Sequence, residues 1–310
     1  MNLNTSRLIR NVSNSQSLFR SLKRQVSPNS TTFLQTQTSP FCSKTNAHIM
    51  SLDNSWSHKT QHKWAEQFPL AKKGKRQSPI DIKEKQAVKK WLPMFNLELI
   101  QGNLSEDWTI ANNGHTIMVS PPESVKWQLS GSMLEGKYIL DHFHMHWGPH
   151  RGNCGCEHLL DGKKHDGEIH FVYKWASNQE TETVDVLAVW GVMMKISKET
   201  DPKFQFLVDQ LIGNNLYKIS NPRADPVKIP VIDFSSLVPQ GLSEYFIYQG
   251  SLTTPPFSET VMHIVYKEPV EISSVFFDQL RSLADLDGDK ITSNFRQVQP
   301  LNGRTVYLSS

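Results

Sequence analysis

Strand-like segments fall at 139–147, 168–173, 186–195 and 261–267, with apolar and polar residues alternating at a period of two most clearly over 142–147 and 168–171. That is the period of strands whose successive side chains face opposite sides of a sheet. Gly, Pro and Asn gather between these stretches, which predicts turns. Helical spacing of apolar positions is confined to 201–212 and 273–284, so helices are expected to be few and short. No internal repeat is visible. The pattern predicts a mainly β single domain with short helices, and its core begins near Asp53, because all eight tryptophans stand at or after Trp56.

The first 52 residues follow another pattern. They contain no Asp or Glu, whereas Arg7, Arg10, Arg20, Lys23, Arg24 and Lys44 stand among Ser, Thr, Asn and Gln. Leu8, Ile9, Val12, Leu18, Phe19 and Leu22 interleave with the basic residues, the arrangement of a basic amphipathic segment of the kind mitochondrial import reads. A secretory signal would need a continuous apolar core, which is missing; a disordered basic tail carrying no address is the alternative. The division expected is a disordered, mitochondrial-type targeting presequence at 1–49 and a catalytic domain at 50–310. The expected location is the mitochondrial matrix, or the cytosol if translation starts at Met50.

Composition narrows the function classes. Lys+Arg number 33 against 30 Asp+Glu, so overall charge supplies no argument for a nucleic-acid partner. No run of about 18 apolar residues occurs, so no membrane-spanning helix is expected. Cys42, Cys154 and Cys156 form neither a zinc ribbon nor a disulfide framework, which points to reduced thiols. A soluble monomer is expected.

The most informative chemistry lies in His142-Phe143-His144-Met145-His146-Trp147-Gly148, three histidines at every second position and hence on one strand face. Residues two apart are separated by about 6.6 Å and can share a zinc ion, whereas residues four apart span about 13 Å and cannot easily do so. Two of the three are therefore candidate ligands. Catalytic zinc keeps three protein ligands and one open position, so a third imidazole must come from elsewhere. His170, in the strand-like Glu168-Ile169-His170-Phe171-Val172, is the candidate. Strand histidines are commonly structural, so the assignment gains its force from motifs elsewhere.

Gln77-Ser78-Pro79-Ile80-Asp81-Ile82, Asn112-Asn113-Gly114-His115, Phe143-His144-Met145-His146-Trp147-Gly148, Glu157-His158, Glu168-Ile169-His170 and Gly250-Ser251-Leu252-Thr253-Thr254-Pro255-Pro256 together resemble the α-class carbonic anhydrase family, in order, from about Trp56 to Arg304. The resemblance implies a large, twisted, mostly antiparallel sheet with a zinc site in a conical cleft. It implies reversible hydration of carbon dioxide to bicarbonate and a proton by zinc-bound hydroxide, with weak ester hydrolysis as a side activity and sulfonamide-type inhibitors as ligands. It selects His144 and His146 as the strand pair and His170 as third Zn(2+) ligand. Thr253 and Glu157 are implied to orient the nucleophile. His115 matches the proton shuttle, for which an imidazole suits near neutrality. Val172, Val189, Leu252, Thr253, Thr254 and Val261 are implied to bind substrate, and His142, Glu168 and Asn294 to hold the ligand rings. Loss of a zinc histidine would have favoured a catalytically silent binding module, but all three are present. A zinc esterase with another main substrate is the remaining rival.

Several positions depart from the resemblance: His142 stands where glutamine is expected, His263 where tryptophan is expected in the substrate wall, and Met118 where asparagine is usual. Trp56-Ser57-His58 stands for Trp-x-Tyr. These departures bear on efficiency rather than on the reaction. Asp285-Leu286-Asp287-Gly288-Asp289 is similar to a calcium loop, but Lys290 fills the position needing glycine, and a solvated turn is expected instead. Sequons at Asn11, Asn29 and Asn103 carry meaning only in the secretory route. Cys154-Gly155-Cys156 is expected to be a reduced loop pair.

Overall fold

The computed structural model describes residues 55–152, 154–176, 187–210, 215–238 and 244–310. The presequence expectation, Met50, Cys42 and the sequons at Asn11 and Asn29 lie outside the described residues. Among these residues the dominant element is a 13-stranded mixed sheet. Seven of its strands position the site: β1 (Trp108–Asn112), β2 (Ile117–Ser120), β3 (Tyr138–Trp147), β4 (Gly167–Trp175), β5 (Leu187–Ser197), β6 (Tyr245–Gly250) and β7 (Val261–Tyr266). Their spatial order is β1-β2-β3-β4-β5-β7-β6. The β1 to β5 neighbours and the β6·β7 pair are antiparallel, and β5·β7 is parallel. The mainly β expectation and its alternating segments therefore hold. Helices are short, with α1 at Pro202–Gln210 and α2 at Ser274–Leu280.

The two faces of this sheet bury different chemistry. Phe143, Met145 and Trp147 of β3, Ile169, Phe171 and Tyr173 of β4, and Trp190, Val192 and Met194 of β5 belong to the main apolar core. Phe204 and Leu207 of α1 and Phe276, Phe277 and Leu280 of α2 pack into the same cluster, each helix burying one apolar face. The alternate residues lie on the other face, in rows fixed by register. One row runs His142, Val172, Val189, His263 and Tyr248 across β3, β4, β5, β7 and β6. The next runs Met118, His144, His170 and Gly191 across β2 to β5, and a third pairs His146 with Glu168 and Met193. A one-residue slip would bury the histidines in the apolar core.

Candidate active site

One ring nitrogen from each of His144, His146 and His170 lies within 4.8 Å of the others. His142 is on the same face but outside this group, as the reach of residues four apart requires. Each ligand ring is held through its other nitrogen. His146 Nδ1 is 2.9 Å from the Asn294 carbonyl oxygen, His170 Nε2 is 2.9 Å from Glu168 Oε1, and His144 Nδ1 is 3.0 Å from His142 Nε2. A carbonyl and a carboxylate can only accept, so the single proton of neutral His146 and of neutral His170 points outward. His146 Nε2 and His170 Nδ1 then face each other at 3.1 Å as two lone pairs, an arrangement that a shared cation relieves. Burial keeps the rings neutral. It lowers His146 to about 4 against the Asn294 hydrogen bond and the Glu168 charge, which both work upward, and it also lowers His144 and His170. Three converging neutral imidazoles fit a zinc ion with an open fourth position.

A buried carboxylate lattice supports the rings. Glu168 Oε1 accepts from His170 and, at 2.7 Å, from His158 Nδ1. Its Oε2 accepts the backbone N–H groups of Glu157 at 2.9 Å and His158 at 2.8 Å. Burial opposes ionisation of Glu168, but the hydrogen bonds donated by His158 and His170 hold it well below the usual carboxylate range. His158 Nε2 meets the Tyr248 hydroxyl at 2.7 Å. His158, Glu168 and His170 also satisfy ligand spacing as a group, but both His158 nitrogens and both Glu168 oxygens already have partners, so this cluster braces the site. Gly191 faces His170 across the β4·β5 ladder, and a Cβ there would approach Glu168 Oε1 to 2.7 Å.

Glu157 reaches the same centre. Its Oε2 is 3.5 Å from His146 Nε2 and 3.9 Å from His170 Nδ1, while Oε1 accepts the Arg296 backbone N–H at 2.8 Å. Burial pushes its carboxyl upward, and His170, Arg296 and the Thr253 hydroxyl pull it down. Thr253 is thus close enough to favour the carboxylate, yet no hydrogen bond closes on Oε2, which is buried without a partner. A dication among the imidazoles would favour the ionised form.

Val172, Leu187, Val189 and Val261 form a small apolar cluster of their own, with Leu252 packed against it. Thr254 is half-buried nearby in the chain. His115 lies face to face with Trp56, ring centroids 3.8 Å apart and planes 8° from parallel. Asn294 ties the two regions together, because its side chain bonds the His115 carbonyl at 3.1 Å and the Trp147 N–H at 2.7 Å.

The departures also have places. His263 stacks on Tyr248 at 5.2 Å and donates from Nε2 to the Ser251 carbonyl oxygen at 2.8 Å. Its Nδ1 is buried without a partner. Met118 lies opposite His144, and its sulfur accepts from Asn113. His58 packs edge-on to Trp56 and Trp64, with Nε2 buried and unpartnered. Asp285 and Asp289 pair with Lys59 at 2.5 and 2.7 Å, so a lysine charge faces that turn. Cys154 and Cys156 are free thiols, and burial raises Cys156 to about 12. The sequence reading did not single out Asp141, Gly191 or Arg296. Asp141 Oδ2 lies 2.7 Å from His142 Nδ1, and its position immediately before the histidine run was the available signal.

Convergent imidazoles, a buried carboxylate beside them and an apolar cluster on the same face define a mononuclear metal centre of the hydrolytic or hydration type. The family model for eukaryotic-type carbonic anhydrases matches residues 59–310. The chain is 37% identical to mouse carbonic anhydrase 7 over 261 residues, covering 79% of this chain and 92% of that one. It is 35% identical to the human carbonic anhydrase 7 over 260 residues, with 79% and 92% covered, and 36% identical to mouse carbonic anhydrase 1 over 259, with 79% and 94% covered. The chain belongs to the eukaryotic-type, α-class carbonic anhydrase family. It is a zinc enzyme of carbon dioxide hydration.

Proposed function

We propose that His144, His146 and His170 hold the zinc and that Thr253, Glu157 and His115 carry carbon dioxide and water to bicarbonate and a proton, and back. The observation carrying this reading is the convergence of three outward-anchored imidazoles whose free nitrogens face one point. When bound, zinc supplies the Lewis acidity that makes a water-derived nucleophile available at neutral pH. Thr253 donates its hydroxyl proton toward Glu157, so its oxygen is left to accept from the reacting water and to fix its direction. Val172, Val189, Val261 and Leu252 receive the apolar substrate without charged clamps, and Thr254, which follows Leu252 and Thr253 in the chain, is assigned to the same substrate site. His115 takes up the released proton and passes it to buffer. The same site accommodates weak ester hydrolysis and sulfonamide-type inhibitors.

Kinetics of two variants test these roles. Thr253→Ala keeps stoichiometric zinc and loses about 10- to 150-fold in kcat/KM, the worth of a hydrogen bond in a charged network of about 1.5–3 kcal/mol. His115→Ala slows turnover most in weak buffer and recovers with added imidazole. Loss of zinc in the first, or unchanged buffer dependence in the second, removes that residue from its role.

Residues 1–49 are proposed to direct import into the mitochondrial matrix, supported by their acid-free, arginine-containing composition. Fused to a fluorescent reporter they should give a mitochondrial signal; a diffuse cytosolic or secretory signal contradicts this.

A further inference from the structure

We propose that Asp141 is a positioning residue for the metal centre, acting through His142 to fix the proton of that ring on Nδ1 and thereby to aim His144 at zinc. The inference rests on the reading of His144 as a zinc ligand. His144 can offer Nε2 to a metal only if its own proton is on Nδ1, and that nitrogen is 3.0 Å from His142 Nε2. His142 Nε2 must therefore accept, and the single proton of neutral His142 must lie on Nδ1. Asp141 Oδ2 stands 2.7 Å from that Nδ1. The other Asp141 oxygen, Oδ1, is 2.8 Å from Lys174 Nζ. An ionised carboxylate has no proton to give, so it fixes the tautomer that the chain of contacts requires. Burial works against ionisation of Asp141, but hydrogen bonds from His142 and Lys174 and the lysine's charge outweigh it and hold the carboxyl below its ordinary range.

The backbone is built for this contact. In β3, Leu140 pairs with Tyr173 while His142 pairs with Val172, so Asp141 is the extra residue of a β-bulge. In a regular strand adjacent side chains point to opposite faces; a bulge re-aims one of them. Here it lets Asp141 reach the imidazole of its own neighbour. A Lys174–Asp141 pair alone, with side chains 57% and 34% exposed, would contribute little. The His142 side chain between Asp141 and His144 is only 15% exposed, and that is where the carboxylate acts. A permanent acceptor such as an amide oxygen could hold His144 unaided, whereas an imidazole needs a partner that decides which nitrogen carries the proton.

The test uses the zinc-loaded full chain. Long-range proton–nitrogen correlation NMR on histidine-labelled protein should show His142 protonated on Nδ1. In Asp141→Asn, Lys174 retains the side-chain oxygen and the amide presents its NH2 to His142. The ring should then switch to the Nε2–H form, and two donors oppose each other at His144. Zinc release to a chelator should accelerate about 10- to 100-fold, the usual effect of losing a partner of a metal-bound histidine. Adding Lys174→Met to Asp141→Asn frees the amide to turn its oxygen toward His142 and should recover part of the loss, while Lys174→Met alone should stay within about twofold of the parent protein. His142 protonated on Nε2 in the parent protein, or zinc release within twofold of parent in a folded Asp141→Asn, overturns the proposal. His144→Ala tests the underlying assignment separately: tight stoichiometric zinc in that variant would contradict the ligand reading itself, whatever Asp141 does.

Discussion

His263 illustrates how one side chain can be polar, buried and only half satisfied. Its Nε2 donates to Ser251, but Nδ1 has no partner, and burial drives the ring well below the ordinary histidine range, with the His158 charge adding to the effect. The ring is therefore neutral and its lone pair is buried, at a position that pairs with Val189 in the sheet register. An unsatisfied buried acceptor costs about 1–3 kcal/mol. His263→Trp removes that acceptor and should stabilise the fold, and by giving the apolar substrate a drier wall it should raise kcat/KM for carbon dioxide by roughly tenfold. A folded, zinc-loaded tryptophan variant that hydrates carbon dioxide no faster would show that the lone pair is immaterial to substrate. The identity of residue 263 was legible in the sequence, but the contacts of its two nitrogens were not, because Ser251 and Tyr248 reach it only after β6 and β7 pair.

At the scale of elements, the strands carrying His144, His146 and His170 announced themselves by alternation and the one carrying Val189 by an apolar run, and the sheet places them within a residue or two of the expected ends. The bulge at Asp141 left no comparable mark. A one-residue insertion in a ladder depends on the partner strand, and its trace in β3 is a single break in the alternation, the polar pair Asp141-His142. Gly191 was equally silent, since its constraint is set by Glu168 on the next strand. Four hydrogen bonds pin that carboxylate, so it can make room for a new methyl group 2.7 Å away only by breaking some of them. Gly191→Ala should therefore displace Glu168, loosen His170 and speed zinc loss about 10- to 100-fold, with the circular dichroism spectrum kept. Parent-like zinc retention would mean that the lattice relaxes without disturbing the ligand.

At the scale of the whole molecule, one sheet separates two interiors. Its apolar face, covered by α1 and α2, supplies the main core, while its other face carries the histidine rows, the carboxylates and a small aliphatic cluster. The period-two pattern foretold this division; the closure of distant segments on the site, such as Asn294 on His146 and Arg296 on Glu157, was legible only through the family resemblance or not at all. This second face is what makes the chain a zinc-dependent carbon dioxide hydratase. Stopped-flow hydration by the purified chain, measured zinc-loaded, after chelation and after restoration of one zinc per chain, tests it most directly. Activity should vanish on chelation, return with one equivalent of zinc and be absent from His170→Ala; full activity in the zinc-stripped protein, or none in the zinc-loaded one, would contradict the account.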